Sequence, residues 1–181
     1  STIVGTVFSK IFETNRGYLN VILRALHLDF LCQQWLATPK TALACLLFVN
    51  IWQWTGYSML MYYTNMLNIP QDLYESATID GAGSFKQFIY ITFPLLRGTH
   101  ITLIILDILG ALKFFDLSYV LTDGGPAHAT ETFSTYIYTK SFSTFQQGQA
   151  STIVVYMFLI AMVLTVIQLK IYYKKDKKEM S

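Results

Sequence analysis

The chain has 181 residues, of which 53% are hydrophobic, 15% aromatic and only 13% charged, with a formal net charge of +2. Its positive mean hydropathy and its shortage of charge exclude an ordinary soluble domain. They also give no reason to expect a nucleic-acid partner, and they place the chain in a bilayer.

In chain order, residues 2–12 form an apolar stretch too short to cross a membrane. It reads as the end of a helix begun upstream. The chain opens on Ser1 and carries no basic, apolar, small-residue leader pattern, so it is expected to be the C-terminal part of a longer membrane protein whose N-terminal helices are missing. Residues 13–40 read as an external stretch with a turn at Gly17 and a short apolar helix over 19–28. Trp35 and Pro39 stand just before the next apolar run, a place that suits Trp at an interface.

Three stretches meet the need for about 20 mostly apolar residues in a spanning helix: 41–63, 101–121 and 151–173. The fold predicted is an all-α, polytopic membrane helix bundle, a single domain over 1–173 with a basic tail at 174–181. Lys170, Lys174, Lys175, Lys177 and Lys178 crowd the end of the last span, so the excess of positive charge puts the C-terminus in the cytoplasm. Counting back through the spans puts 123–150 outside and 65–100 inside.

The first span carries Asn50, Gln53, Trp54 and Tyr57 at i, i+3, i+4 and i+7, which share one helix face. Asp107, Gly110, Ala111 and Phe114 repeat that spacing in the second. A polar stripe facing lipid is costly, so both faces are expected to look into protein or water. Amide, carboxylate and aromatic groups suit a sugar, which offers hydroxyls on its edges and apolar faces between them. Two roles fit Asp107: binding solute, or pairing with another helix, since its own helix offers no partner three or four residues away. Trp54 and Tyr57 equally suit plain packing. Lys113 and Asp116, three residues apart, are expected to pair with each other.

Between the first two spans lie about thirty residues, far more than a connecting turn needs. Within this loop, 70–96, helix formers dominate from Leu73 to Ile79, Gly81 permits a turn, and Pro94 precedes the next apolar run. Glu75 and Asp80 supply negative charge for a basic partner, while Ala77, Gly81 and Ala82 keep one surface small. A helix that merely rested on a membrane would carry Lys or Arg along its polar face, which this one lacks. In the outer loop, Asp123-Gly124-Gly125-Pro126 has turn chemistry, and aromatic-rich 130–145 suits a short interfacial helix, as an anchor or as a dock for an external partner.

Cys32 and Cys45 have a spacing that fits neither zinc nor a disulfide framework, and His27, His100 and His128 are scattered, so no metal site is expected. No Gly-rich phosphate loop is present. Any ATP used must be held by another chain.

The run Glu75-Ser76-Ala77, then Asp80-Gly81-Ala82 and Phe93-Pro94-Leu95, resembles the EAA loop of ABC importer permeases. Phe115-Asp116, Leu121-Thr122, Gly124-Gly125-Pro126 and Thr130-Glu131-Thr132 resemble its carbohydrate branch, the maltose and glycerol-phosphate type. Ser76 stands for the second Ala, Phe93 for the usual Leu, and Gly98 for a common Pro. The resemblance implies a type I transmembrane domain with no catalytic chemistry of its own. It also implies a bacterial cytoplasmic-membrane location, a pair of ATP-binding subunits that hold Mg-ATP, a second permease subunit in a heterodimer, and an extracytoplasmic solute-binding protein. Glu75, Ser76, Ala77, Asp80, Gly81, Ala82 and Pro94 would then belong to the helix that couples the ATPase to transport. Members of the maltose type hold sugar at positions aligned with the two stripes. Asn50 and Tyr57 keep the residue types, whereas Asp107, Ala111 and Phe114 replace hydroxyl or amide side chains, so the solute is left open. Two other readings fit less well: an intramembrane enzyme lacks a nucleophile with its base, and an ion-coupled transporter calls for internal repeats that are not seen.

Overall fold

The computed structural model describes residues 1–179, with side chains through Lys170. Its helices are α1 Thr2–Ile11, α2 Tyr18–Ala25, α3 Pro39–Met66, α4 Gln71–Ile79, α5 Ser84–Gln87, α6 Phe93–Leu95, α7 Arg97–Leu112, α8 Asp116–Thr122, α9 Phe133–Tyr138 and α10 Gln147–Glu179. Two π-helical turns follow α5 and α9, at Phe88–Thr92 and Thr139–Ser143. No strand occurs among the described residues. The chain falls into two compact units, 1–53 with 110–162 and 54–109 with 163–181.

In the first unit α1 lies against α8. The approach is close because Gly5 has no side chain: a Cβ there would meet Val120 Cγ1 at 3.0 Å and Leu117 Cδ1 at 3.5 Å. Around this contact Phe12, Cys45, Val49, Leu117 and Leu121 form a buried cluster, flanked by Phe8, Trp35 and Phe114. Helix packing in an apolar setting depends on such close van der Waals fit rather than on expelling water.

Residues 13–38 are tied down by one polar side chain. Asn20 is only 2% exposed, yet its amide donates to the carbonyls of Thr14 (2.9 Å) and Gln33 (3.0 Å) while its Oδ1 accepts from Trp35 Nε1 (2.8 Å). Every polar atom of that amide is thereby used, which is what makes a buried amide tolerable. The Cys32 thiol points to the Asn20 carbonyl at 3.7 Å, and Cys45 is buried; neither is in a disulfide.

The second unit contains α4 to α6, most of α7, and the latter part of α3. Here α6 and α7 belong to a bent pair, Ser84–Leu95 with Arg97–Leu112, which turns through 62°. Backbone bonds converge on the bend from both sides, Leu96 to the Thr92 carbonyl at 3.1 Å and His100 to the Leu96 carbonyl at 3.0 Å.

One expected helix and one expected contact change. The helix anticipated over 101–121 stops at Leu112 and resumes at Asp116. The break is held open by hydroxyls from the later loop: Thr132 Oγ1 donates to the Phe114 carbonyl at 2.6 Å and Ser134 Oγ to the Leu112 carbonyl at 3.4 Å. These bonds satisfy carbonyls that a continuous helix would have used internally. The anticipated ion pair between Lys113 and Asp116 is not made; Asp116 sits in the first turn of α8, where a negative charge suits the helix dipole.

By length and composition the segment Gln147–Lys170 of α10 can cross a membrane alone, and the bent pair qualifies when taken together. Helix α3 has 28 residues, long enough at about 1.5 Å each to span about 42 Å. Its composition falls short of the apolar character of Gln147–Lys170, so the span expected over 41–63 is met in length but not in hydropathy. The basic tail expected at 174–181 lies outside the residues whose side chains are described.

Candidate functional site: an outward-facing loop helix and two polar stripes

Helix α4 begins after Pro70 and has Asp72 in its first turn, both favourable at a helix start. It ends in a Schellman motif: Ala82 N–H bonds the Ala77 carbonyl at 2.9 Å and Gly81 N–H the Thr78 carbonyl at 3.0 Å. Gly81 has φ +76, a left-handed conformation that costs other residues about 1–2 kcal/mol. Nothing approaches within 4 Å of the place its Cβ would occupy. Gln87 holds the corner by donating to Thr78 Oγ1 at 2.9 Å and to the Ala82 carbonyl at 3.1 Å.

The helix has two unlike faces. Glu75, Ser76, Asp80 and Gly81 are exposed, as is Ile79, at 87%. Tyr74, Ala77 and Ala82 are half-buried on the other side. The small surface expected from Ala77, Gly81 and Ala82 therefore reduces outwardly to Gly81, because Ala82 is drawn under the corner by its bond to the Ala77 carbonyl.

Beyond the corner, Tyr74 Oη meets Thr92 Oγ1 at 2.8 Å at the end of the first π turn. Pro94 lies in α6, directly after the π turn. His100, in the first turn of α7, makes two contacts: Nδ1 with Tyr62 Oη at 2.8 Å and Nε2 with the Phe93 carbonyl at 3.1 Å.

Of the stripe residues on α3, Asn50 and Gln53 are half-buried, whereas Trp54 and Tyr57 are exposed. The two rings meet edge to face, with centroids 6.1 Å apart, so they pack on each other and still present surface. Gln53 Nε2 reaches Ser1 Oγ at 3.2 Å. On α7, Asp107, Gly110 and Ala111 are exposed. Phe114 does not continue that face. It lies in the break after Leu112 and packs on the buried cluster, so the stripe on α7 ends at Ala111.

Residues 3–175 match the family described as binding-protein-dependent transport system inner membrane components. The chain belongs to this family. Its relatives include the probable ABC transporter permease protein YurN of Bacillus subtilis strain 168, which is 35% identical over 178 residues, covering 98% of this chain and 61% of that one. The sulfoquinovosyl glycerol transport system permease protein SmoG of Agrobacterium fabrum is 33% identical, covering 95% of this chain and 55% of its own. The chain thus spans a little over half the length of these relatives. A solved bacterial ABC transporter involved in import of the acidic polysaccharide alginate superposes with a TM-score of 0.85 over 96% of this chain and 61% of its own, at 22% identity. That likeness supports the all-helical fold.

Within this inner membrane component, the joint roles of Tyr62, Thr92 and His100 are not evident from the sequence, where His100 is only one of three scattered histidines. The one usable hint is a polar ring within the first turn of an apolar helix, six residues after Pro94.

Proposed function

We propose that this chain is a transmembrane permease subunit of a binding-protein-dependent, ATP-driven sugar importer, with α4 as the helix that couples a separate ATPase to the solute path. The carrying observation is the Schellman-capped corner at Gly81. It is left-handed and unobstructed, and Glu75, Ser76 and Asp80 beside it are exposed. An open corner flanked by exposed acidic side chains leaves room for a partner's surface to close on it.

In this reading the loop and the C-terminus are cytoplasmic, and the chain lies in the bilayer of a bacterial cytoplasmic membrane. Mg-ATP is held by a pair of ATP-binding subunits. A second permease subunit completes the pathway, and an extracytoplasmic binding protein delivers solute. Asn50, Gln53, Trp54 and Tyr57 on α3, with Asp107, Gly110 and Ala111 on α7, line that pathway. A saccharide is supported by their amide, carboxylate and aromatic chemistry and by the names of relatives such as the sulfoquinovosyl glycerol permease. Closure of the ATPase pair moves α4, and the cavity changes its open side.

The test is co-purification from a membrane that expresses the whole transporter. The ATP-binding subunit is expected to accompany the permease and to be lost when 74–94 is deleted. Retention after that deletion would refute the coupling role. Stimulation of ATP hydrolysis by a panel of mono-, di- and oligosaccharides, with binding protein present, then identifies the solute.

A further inference from the structure

We propose that Tyr74, Thr92, His100 and Tyr62 are positioning residues, a line of polar contacts that fixes the bend at Leu96 and ties α4 to α3. This rests on the reading of α4 as the coupling helix. All the atoms concerned lie within the 54–109 part of one compact unit.

The line starts where Tyr74, on the inner face of α4, shares a hydrogen bond of 2.8 Å with Thr92. Thr92 is 5% exposed and ends the π turn. Phe93 comes directly after it, and its carbonyl is the partner of His100 Nε2 at 3.1 Å. Because a carbonyl only accepts, Nε2 is the donor to Phe93, and Nδ1 shares a hydrogen bond with the Tyr62 hydroxyl across 2.8 Å. Both ring nitrogens are thereby used.

The imidazole is flanked by two rings, with Phe93 at a centroid distance of 4.6 Å and Tyr62 at 5.2 Å. These contacts orient the ring for its two bonds. The bond from Nε2 joins Phe93 to His100, one on either side of Leu96 in the chain, the residue on which the backbone bonds of both arms converge. It therefore acts as a strap across the 62° bend. Tyr62 anchors the strap to α3, the helix that carries Trp54 and Tyr57. A displacement of α4 is passed through Tyr74 to the base of the bend, and through His100 to α3.

Packing alone would need the rings and not the hydroxyls, and this difference makes the idea testable. In the complete transporter in liposomes, solute uptake and ATP hydrolysis are measured separately for Tyr62→Phe and Thr92→Val, which each remove a polar contact at nearly constant volume. Solute moved per ATP is expected to fall about three-fold or more, with unchanged yield of assembled complex. The double variant should be no worse than the weaker of the two single ones, because a line cut twice is already cut once. His100→Gln, which retains a donor and an acceptor, should recover part of what His100→Leu loses. Multiplying losses in the double variant, equal behaviour of Gln and Leu, or a fall in assembly that takes both activities down together would each overturn the proposal. A wild-type complex whose hydrolysis does not respond to solute would overturn the coupling reading itself.

Discussion

The polar stretch before α3 and the polar loop after it use similar residue types for opposite ends. In 13–38 the amide of Asn20 is turned inward and consumed by Thr14, Gln33 and Trp35, so the stretch is shaped by its own side chains. In 71–87 Glu75, Ser76 and Asp80 are left exposed, and the internal bonds are spent on the corner beneath them. A polar residue that is buried and fully paired determines shape, whereas one held rigid and exposed is available to another molecule. Stability and transport should therefore respond separately to changes in the two places.

Gly81→Trp should break this contrast most visibly. It puts an indole into the open space at the corner and strains a backbone with φ +76. Transport is expected to fall at least about ten-fold, equivalent to about 1.4 kcal/mol or more, while the unfolding free energy of the permease in detergent falls by no more than about 1–2 kcal/mol, the cost of left-handed backbone strain. Normal transport by this variant would remove the basis for treating the corner as a docking surface. Asn20→Leu should do the converse. It strands the indole N–H of Trp35 and the carbonyls of Thr14 and Gln33, so the unfolding free energy should drop by about 2–3 kcal/mol, with the folded fraction still transporting; an unchanged melting curve would mean that the knot does not shape 13–38.

Gly5→Leu should be next in size, because Val120 and Leu117 leave no room for a side chain there. Overpacking of this kind costs about 1–3 kcal/mol, and thermal unfolding reads it. Thr132→Ala should cost about 1 kcal/mol by removing the N-cap of α9. Faster hydrogen exchange at the Thr135 amide, with the α4 amides unaffected, would separate it from any effect on the loop.

Helix α4 is legible in the sequence because its polarity contrasts with the apolar runs around it, and the turn at Gly81 because only glycine adopts that conformation freely. The break between α7 and α8 is not. Leu117, Val120 and Leu121 continue the hydropathy of the preceding residues, and the hydroxyls that hold the break come from positions 18 and 22 residues further along the chain. For the same reason Phe114 falls on the spacing of the Asp107 stripe without sharing its face. Pro94 marks the approach to the next apolar run, but not the bend, which falls at Leu96. Periodicity cannot reveal the Tyr62 contact with His100, since the two are 38 residues apart. The stripe on α3 is readable because one unbroken helix carries all four residues.

The π turn at Phe88–Thr92 has a consequence in rotation. Such a turn takes in one residue more than an α-helical turn, so it shifts the azimuth of α5 against that of α6 by the step of a single residue, about 100°. Removing one residue there would restore ordinary winding without touching a contact residue of α4. It would also turn Thr92 away from Tyr74, so the loop would keep its helix and its charges while aiming them in another direction.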